Sequence, residues 1–587
     1  MCGFGRTATV TLMALLATVG SGCGGGQSGT QVQPPPPPAI TVTTLVPSYA
    51  VAGGGAFTFF VDGTGFTSAS VVKWNGTTVS TTFGTDQILT ASIPSSLIAT
   101  PGMATITVAD PNSGAASNAQ PFGIASPAAA TAGVVQLITI ATDGSPANAD
   151  SLVAPSINAD GRYVAFQSAA TNLVPGPASG FQDIYLRDTC LGSAPSGCVP
   201  STTRISVTYN GAATNFHSFD SAVSSDGRFV AFDSEATNIL PNTSVCTNTC
   251  VFLRDTCNGA LPGCVPTTTL ISVAIDGTAA GGGNPAMSGD EFVAFNSNAT
   301  DIVSGDTTAL GDQFLRDTCF GASSGCVPGT SLVSATSAGT LGNARSGISA
   351  ISATGRFIAY QSWATNMVPN GTMVPGNFWR DTCIGAQACA PSTVRVDVAT
   401  DGSQPNNGVF NNSTPGITSD GRLVAFSSTA TNLVATNVGG MGNIYVRDTC
   451  NGASSGCAPT TSLVSLGNDG SAGNSSSGNL GMSADGRFVA FASLASNLVP
   501  GDSETAGGFK DIFVRDTCFG VASGCNPSTV RVSVTNTPNP ATQANDISDY
   551  PAISGDGHYA VFLSAATNLV PGGTNGHGMV FLAKTGF

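Results

Sequence analysis

One apolar tetrad recurs seven times in this chain. Tyr163-Val-Ala-Phe166 returns as Phe229-Val-Ala-Phe232, Phe292-Val-Ala-Phe295, Phe357-Ile-Ala-Tyr360, Leu423-Val-Ala-Phe426, Phe488-Val-Ala-Phe491 and Tyr559-Ala-Val-Phe562, at intervals of 63 to 71 residues. Self-similarity at a fixed period decides architecture before any single motif does. Each copy sits in a longer consensus. A Ser-rich strand comes first, then a turn such as Ala159-Asp-Gly-Arg162, then the aromatic strand. A segment like Ala170-Thr-Asn-Leu-Val174 follows, then a strand such as Asp183-Ile-Tyr-Leu-Arg-Asp188, a Cys-bounded loop, and a strand such as Arg204-Ile-Ser-Val207. Asp-Gly between two strands is a hairpin signal, because its turn needs positive φ. Four antiparallel strands repeated seven times predict an all-β chain with a seven-bladed β-propeller.

The Ser-x-Asp-Gly-Arg turn followed by an apolar strand resembles the WD-repeat-like propellers of the TolB type, over about 450 residues. That resemblance implies a fold and leaves function open, since one fold hosts many activities. The seventh repeat reaches its third strand at Met579-Val-Phe-Leu-Ala583 with no fourth strand after it. Before the first repeat lies Val134-Val-Gln-Leu-Ile-Thr-Ile140, which looks like a fourth strand. The propeller is therefore expected over 134–587, with blade seven closed by strand 134–140. Closure would remove an exposed edge.

Residues 39–125 have another character. Phe57-Thr-Phe-Phe-Val61 and Ala104-Thr-Ile-Thr-Val108 alternate with turn residues, as in a small β-sandwich. Val46-Pro-Ser48, Gly63-Thr-Gly-Phe66, Trp74-Asn-Gly76 and Ser117-Asn118 with Phe122 resemble the IPT/TIG immunoglobulin-like family. The resemblance implies a spacer or adhesion domain, joined to the propeller by a linker at 126–133.

The N-terminus reads as an address. Arg6, an apolar stretch Thr7–Val19 and Gly20-Ser-Gly22 precede Cys23. This is a signal-peptide pattern over 1–22. It resembles a bacterial lipobox, with Gly20 where that family prefers Leu, and implies lipidation at Cys23. Residues 23–38 are Gly-rich and end in five prolines, Pro34–Pro38, as in a tether with a stiff section. The expected location is the bacterial cell envelope, as an exported outer-membrane lipoprotein or cell-surface protein. Membrane contact would come only through that N-terminal lipid.

The chain contains 16 cysteines, which fits an oxidising compartment. Twelve form close pairs in the loops between third and fourth strands: Cys190 with Cys198, Cys257 with Cys264, Cys319 with Cys326, Cys383 with Cys389, Cys450 with Cys457 and Cys518 with Cys525. A hairpin brings such pairs within disulfide reach. Cys246 and Cys250 make a seventh pair. Zinc would need four ligands at tighter spacing, so neither a metal nor a cofactor is expected. Eleven Arg residues occupy two repeated slots, after the turn Gly (as in Arg162) and in Arg-Asp-Thr-Cys (as in Arg187). Repetition assigns them structural bonds to carboxylates or carbonyls.

Only 9% of residues are charged and the net charge is −15, which argues against a nucleic-acid partner. Gly321-Ala-Ser323-Ser-Gly325 and Gly452-Ala-Ser454-Ser-Gly456 match the hydrolase elbow in letters but lie in disulfide loops, not strand-turn-helix units. With three histidines, His217, His558 and His577, a catalytic triad has few candidates. Two acidic loop clusters, Asp306 with Asp312 and Asp502 with Glu504 and Asp511, are expected to be solvated, with calcium as the rival reading. No catalytic residue is assigned. The expected function is binding or scaffolding by a monomer, with a protein or surface glycan held on one propeller face. The segments that vary most between repeats, such as Pro175–Gln182 and Asn210–Asp220, would line that face. The alternatives are a glycan-processing enzyme using channel carboxylates and a purely structural spacer.

Overall fold

The computed structural model describes residues 39–587 apart from 47–48, 52–55, 101, 126–134, 242–245, 247, 261–262, 290, 321–324, 370, 372–373, 410–412, 437, 454, 501, 503–507, 522–523, 536–541, 571–573 and 575. The signal peptide, Cys23, the tether, the linker, Glu504, Ser323 and Ser454 lie outside the described residues. The described chain is all β apart from one 3-10 turn, Ser95–Ile98. No helix among the described residues is long and apolar enough to cross a membrane.

Two compact units are separated, with Ala56–Pro94 and Met103–Phe122 in the first and Gly123–Phe587 in the second. Strands Thr41–Val46, Phe57–Thr64, Ile88–Ile93 and Ser80–Phe83 form one sheet of the N-terminal region. A second sheet of five strands includes Val71–Trp74 and Gly102–Ala109. Trp74 is buried, with its ring 4.9 Å from Phe122 and 6.4 Å from Phe59. It fills the core of this small domain.

The second unit contains seven four-stranded antiparallel sheets, an arrangement consistent with a propeller. They are numbered here in the order of the aromatic repeat. Sheet one is Ser156–Ile157, Tyr163–Ser168, Asp183–Asp188 and Ser201–Arg204. Sheet seven is Ser548–Ile553, Tyr559–Ser564, Met579–Lys584 and, from before sheet one, Val135–Leu137. Val135 opposes Ala583 and Leu137 opposes Phe581. The paired strand is shorter than the expected 134–140. It is carried one bond further by Ile138 N–H donating to Val580 O at 2.9 Å, and the chain then bends so that Ile140 bridges Pro146.

The second strands are buried along their whole length in five of the sheets, from Tyr163–Ser168 to Phe488–Ser493. Full burial of both strand faces is why these tetrads read as continuous apolar runs rather than as alternation. Apolar layers join neighbouring sheets. Tyr163 and Ala165 of sheet one pack with Phe232 and Phe252 of sheet two. One large cluster runs from Ala490 and Val514 of sheet six through Phe562 and Phe581 of sheet seven to Phe166 and Tyr185 of sheet one. Each buried aromatic contributes roughly 2 kcal/mol.

The Asp-Gly turns serve this packing as well as the hairpin. Gly227 has φ +80°, and a Cβ there would lie 2.0 Å from Tyr163 Cδ2 of the preceding sheet. Gly161 stands in the same relation to Tyr559 of sheet seven, at 2.3 Å, so the contact continues across the junction of sheets seven and one.

Both Arg slots are structural. Arg162, Arg228, Arg356, Arg422 and Arg487 pair with Asp188, Asp255, Asp381, Asp448 and Asp516 at 2.7–2.8 Å. These pairs are part-exposed and contribute at most about 1 kcal/mol each. Four of the six Arg-Asp-Thr-Cys arginines reach the neighbouring repeat, while Arg254 and Arg316 donate to Thr268 and Thr330 of their own sheets. Arg380 donates to Ala335 O at 2.9 Å and Arg447 to Ala399 O at 3.1 Å. The cysteines form seven disulfides in the expected pairs, with Cα separations of 5.6–6.0 Å.

Candidate functional site

Strand register sorts the loops onto two faces of the sheets. Ser218, at the start of the first strand of sheet two, opposes Ser234, at the end of the second, and Ser234 opposes Cys250, at the start of the third. Segments entering first strands and those leaving second strands therefore share one edge. The Asp-Gly turns and the six disulfide loops between third and fourth strands share the other.

First strands from all seven sheets line one cavity of about 380 Å³. Its wall is mostly small or apolar, as at Pro155, Ala222, Ala350 and Gly481, and among the described residues Asp220 is the one ionisable group that lines it. At the first-strand entry edge the strands become irregular. Register shifts fall between Ser218 and Ser221, Gly283 and Ala286, Ser346 and Ser349, Gly478 and Leu480, and Asp549 and Ala552. Bulges of this kind re-aim side chains and free backbone donors. Asn284, Asn479 and Tyr550 adopt positive φ there, at 52°, 42° and 53°.

The freed donors of sheets two and three converge on Asp233. Asp220 N–H donates to Asp233 Oδ1 at 2.8 Å, and Asn284 N–H donates to Oδ2 at 3.3 Å. Both carboxylates border a second cavity of about 820 Å³ between these sheets, shared with Asn248, Asn296 and Asp301. Burial, and then the negative charge of Asp220, push Asp233 up to about 8. Burial raises Asp220 as well. Such a pair holds a proton that can be donated to a ligand hydroxyl or carbonyl.

Aromatic side chains flank the same edge. The Phe181 ring lies 5.2 Å from Phe216 and 5.1 Å from His217, and His217 stacks on Phe219 at 6.0 Å. Gln182 N–H donates to His217 Nδ1 at 3.2 Å and fixes that ring. Phe216 is 44% exposed and Tyr550 41% exposed. Across the edge, Lys510 Nζ donates to Asp549 Oδ2 at 2.6 Å and Asn479 Nδ2 donates to Oδ1 at 2.8 Å.

The segments Pro175–Gln182 and Asn210–Asp220 thus supply Phe181, Phe216 and Asp220 to this edge. The Asp233 side chain was not singled out in the sequence, although a signal exists. Its slot after the aromatic tetrad holds Gln167, Asn296, Gln361, Ser427, Ala492 and Leu563 in the other repeats, so Asp233 is the one acid.

The expectation of solvated loop acids is corrected. Asp306 and Asp312 are 6% and 1% exposed, and Asp511 is 3% exposed. Asp502 and Asp511 fold onto Arg531, at 2.7 and 3.6 Å, because the loop turns back over its own sheet.

The pH dependence of stability follows from Asp233. An unfolded aspartate releases its proton near pH 4. The folded one holds it to about 8. Between these values the folded state binds more protons, so stability falls as pH rises. Burial pushes Asp397 and Asp511 only to about 6, so the upper part of the window belongs to Asp233 together with Asp220, which burial also raises, and His558, which its bond to Asp556 raises. The melting temperature is expected to drop by a few degrees from pH 6.5 to 8.5, and Asp233→Asn to flatten that drop. Differential scanning fluorimetry across the two pH values checks it.

No protein-family model matches the chain, and no curated protein matches it. Among solved structures it is similar to an auxiliary nutrient binding protein from Bacteroides thetaiotaomicron, with 9% identity over 93% of this chain and 98% of that one and a TM-score of 0.27. An auxiliary nutrient binding protein from Bacteroides ovatus gives 11% identity, the same two coverages and a TM-score of 0.26. Trypanosoma rangeli sialidase gives 10% identity over 77% of this chain and 57% of that one, with a TM-score of 0.24. Likeness this slight carries no argument about function.

Proposed function

We propose that this chain is an exported, lipid-anchored envelope protein that binds a neutral glycan on one face of a seven-bladed propeller. In this reading residues 1–22 are a signal peptide, Cys23 carries the lipid and residues 23–38 are the tether. Residues 39–125 are an immunoglobulin-like spacer, and 134–587 form the propeller. The observation that carries the binding role is the Phe181, Phe216 and Phe219 cluster beside the Asp220–Asp233 cavity. Aromatic faces stack on the apolar faces of sugar rings, while carboxylates and amides take up hydroxyls. A net charge of −15 and the acidic side chains at this edge disfavour polyanions. A protein ligand remains the other class that such a surface fits.

Glycan arrays followed by calorimetry test the reading. Phe216→Ala is expected to weaken binding of the best glycan at least tenfold, about 1.4 kcal/mol. A variant that binds as well as the parent would refute it. The second reading, glycan cleavage, rests on the raised Asp233. Product analysis of the same glycans after long incubation separates the two, since cleavage lost in Asp233→Asn would establish an enzyme.

A further inference from the structure

The seven sheets share a slot where the start of the third strand meets the end of the fourth. In sheet one Asp183 holds it with Arg204 at 3.3 Å. In sheet six Asp511 and Asp502 share Arg531. In sheet four Gly376 replaces the acid and Arg395 turns to Asp397 at 2.8 Å. Sheets two, five and seven lack both charges, having Cys250 with Leu270, Asn443 with Leu463, and Met579 with Leu137. In five sheets, then, acid and arginine come or go together, and in sheet four Asp397 takes over as the partner of the arginine.

Sheet three breaks the rule. Asp312 begins its third strand, yet the position of the arginine is Leu332, opposite Phe314. A second acid, Asp306, joins it from the loop. Val303-Ser-Gly-Asp306 matches Val499-Pro-Gly-Asp502 of sheet six, each acid 11 residues beyond Phe295 or Phe491. Sheet three therefore has both acids of the sheet-six triad without its guanidinium. Thr308 touches both, its N–H donating to Asp306 Oδ1 at 3.2 Å and its hydroxyl to Asp312 Oδ2 at 3.5 Å. Ser334 donates to Asp312 Oδ1 at 2.5 Å. Asp306 is 6% exposed and its buried Oδ2 has no hydrogen-bond partner. Among the described residues no Lys, Arg or His pairs with either acid. In sheets one and four the arginine also satisfies loop carbonyls, Pro177 O at 3.2 Å and Pro375 O at 3.2 Å. In those two sheets the cation at this slot thus meets both carboxylate and loop carbonyl oxygen.

We propose that Asp306 and Asp312, with Thr308, form a calcium site in which the ion replaces the arginine of the other sheets. All the donors are hard oxygens, which selects against zinc and copper. Two carboxylates balance one divalent charge. An irregular loop with two carboxylates suits calcium, which tolerates six to eight oxygen ligands in flexible geometry, better than magnesium, which demands an octahedron of short bonds. The site lies at the same edge as the proposed glycan face, where the second strand of sheet three passes into the third, but it shares no residue with that reading and does not depend on it.

The test is calorimetric titration of the metal-stripped full chain with calcium chloride, paired with melting curves in calcium and in chelator. One saturable site and a melting temperature several degrees higher in calcium are expected. Asp306→Asn should weaken binding at least tenfold. Leu332→Arg should abolish it and, in chelator, bring the melting temperature up toward that of the calcium-loaded parent. Because Leu332→Arg gains stability under the proposal, misfolding cannot imitate its result. No saturable heat up to about 10 mM calcium, well above the weakest extracellular sites at about 1 mM, overturns the proposal. So does a Leu332→Arg protein that binds calcium as the parent does. Asp312→Asn raising the melting temperature equally with and without calcium would mark a proton site instead and also overturn it.

Discussion

Removing residues 135–141 is expected to lower the melting temperature by more than 10 °C and to turn the protein aggregation-prone. The segment supplies the fourth strand of sheet seven. Its loss deletes about three ladder bonds, worth near 1 kcal/mol each, and the burial of Val135 and Ile138, about 2 kcal/mol each. The sum, about 7 kcal/mol, is comparable to the whole margin of a typical domain. The deletion also bares the edge of Met579–Lys584, and an unpaired apolar edge recruits other chains. Calorimetry gives the first effect, and size-exclusion chromatography at several concentrations the second. A deletion protein that melts like its parent and stays monomeric would dismiss the closing role of this strand.

Reduction should have a still larger effect. Six disulfides close loops of 6 to 8 residues. Each contributes about 2.5 kcal/mol by loop entropy. Together they contribute about 15 kcal/mol, the upper end of ordinary domain stability. The first cysteine of each pair has φ between 56° and 65°, a conformation that side-chain-bearing residues avoid. Those six positions resist the loop geometry once the bonds are gone. Reduced and alkylated protein is expected to lose its cooperative melting transition, and intact mass before and after reduction counts the bonds. A reduced chain that melts where the oxidised one does would show that the sheets hold themselves.

What repeats in this chain was legible, because repetition reports packing. The tetrads, the Asp-Gly turns and the cysteine spacing each recur where the same physical demand recurs. The all-β sheets and the strand ahead of the first tetrad could be read that way. What does not repeat was hidden by the same habit of reading. Asp233, Phe216 and Leu332 matter as departures from their own columns, and a consensus discards departures. The cavity beside Asp233 also needs bulges in two first strands, and bulges have no letter code. The loop acids were misjudged because loops with turn composition usually stay in water. Here Val499 and Asp502 turn inward, one against the apolar layer and the other onto Arg531.

The pairing of Val135–Leu137 with Met579–Lys584 also orders events in time. Thr139 Oγ1 and Val580 N meet at 3.3 Å although 441 residues separate them. Synthesis makes the earlier strand first, and its partner strand only after the strands of the six other sheets. Local hairpins can form as they emerge, but the joining contact has the highest loop-closure cost and comes late. The seventh sheet is thus a completion check. A polypeptide interrupted anywhere upstream of residue 579 offers an open edge to proteases and holdases, and only a chain read through to that strand can hide it.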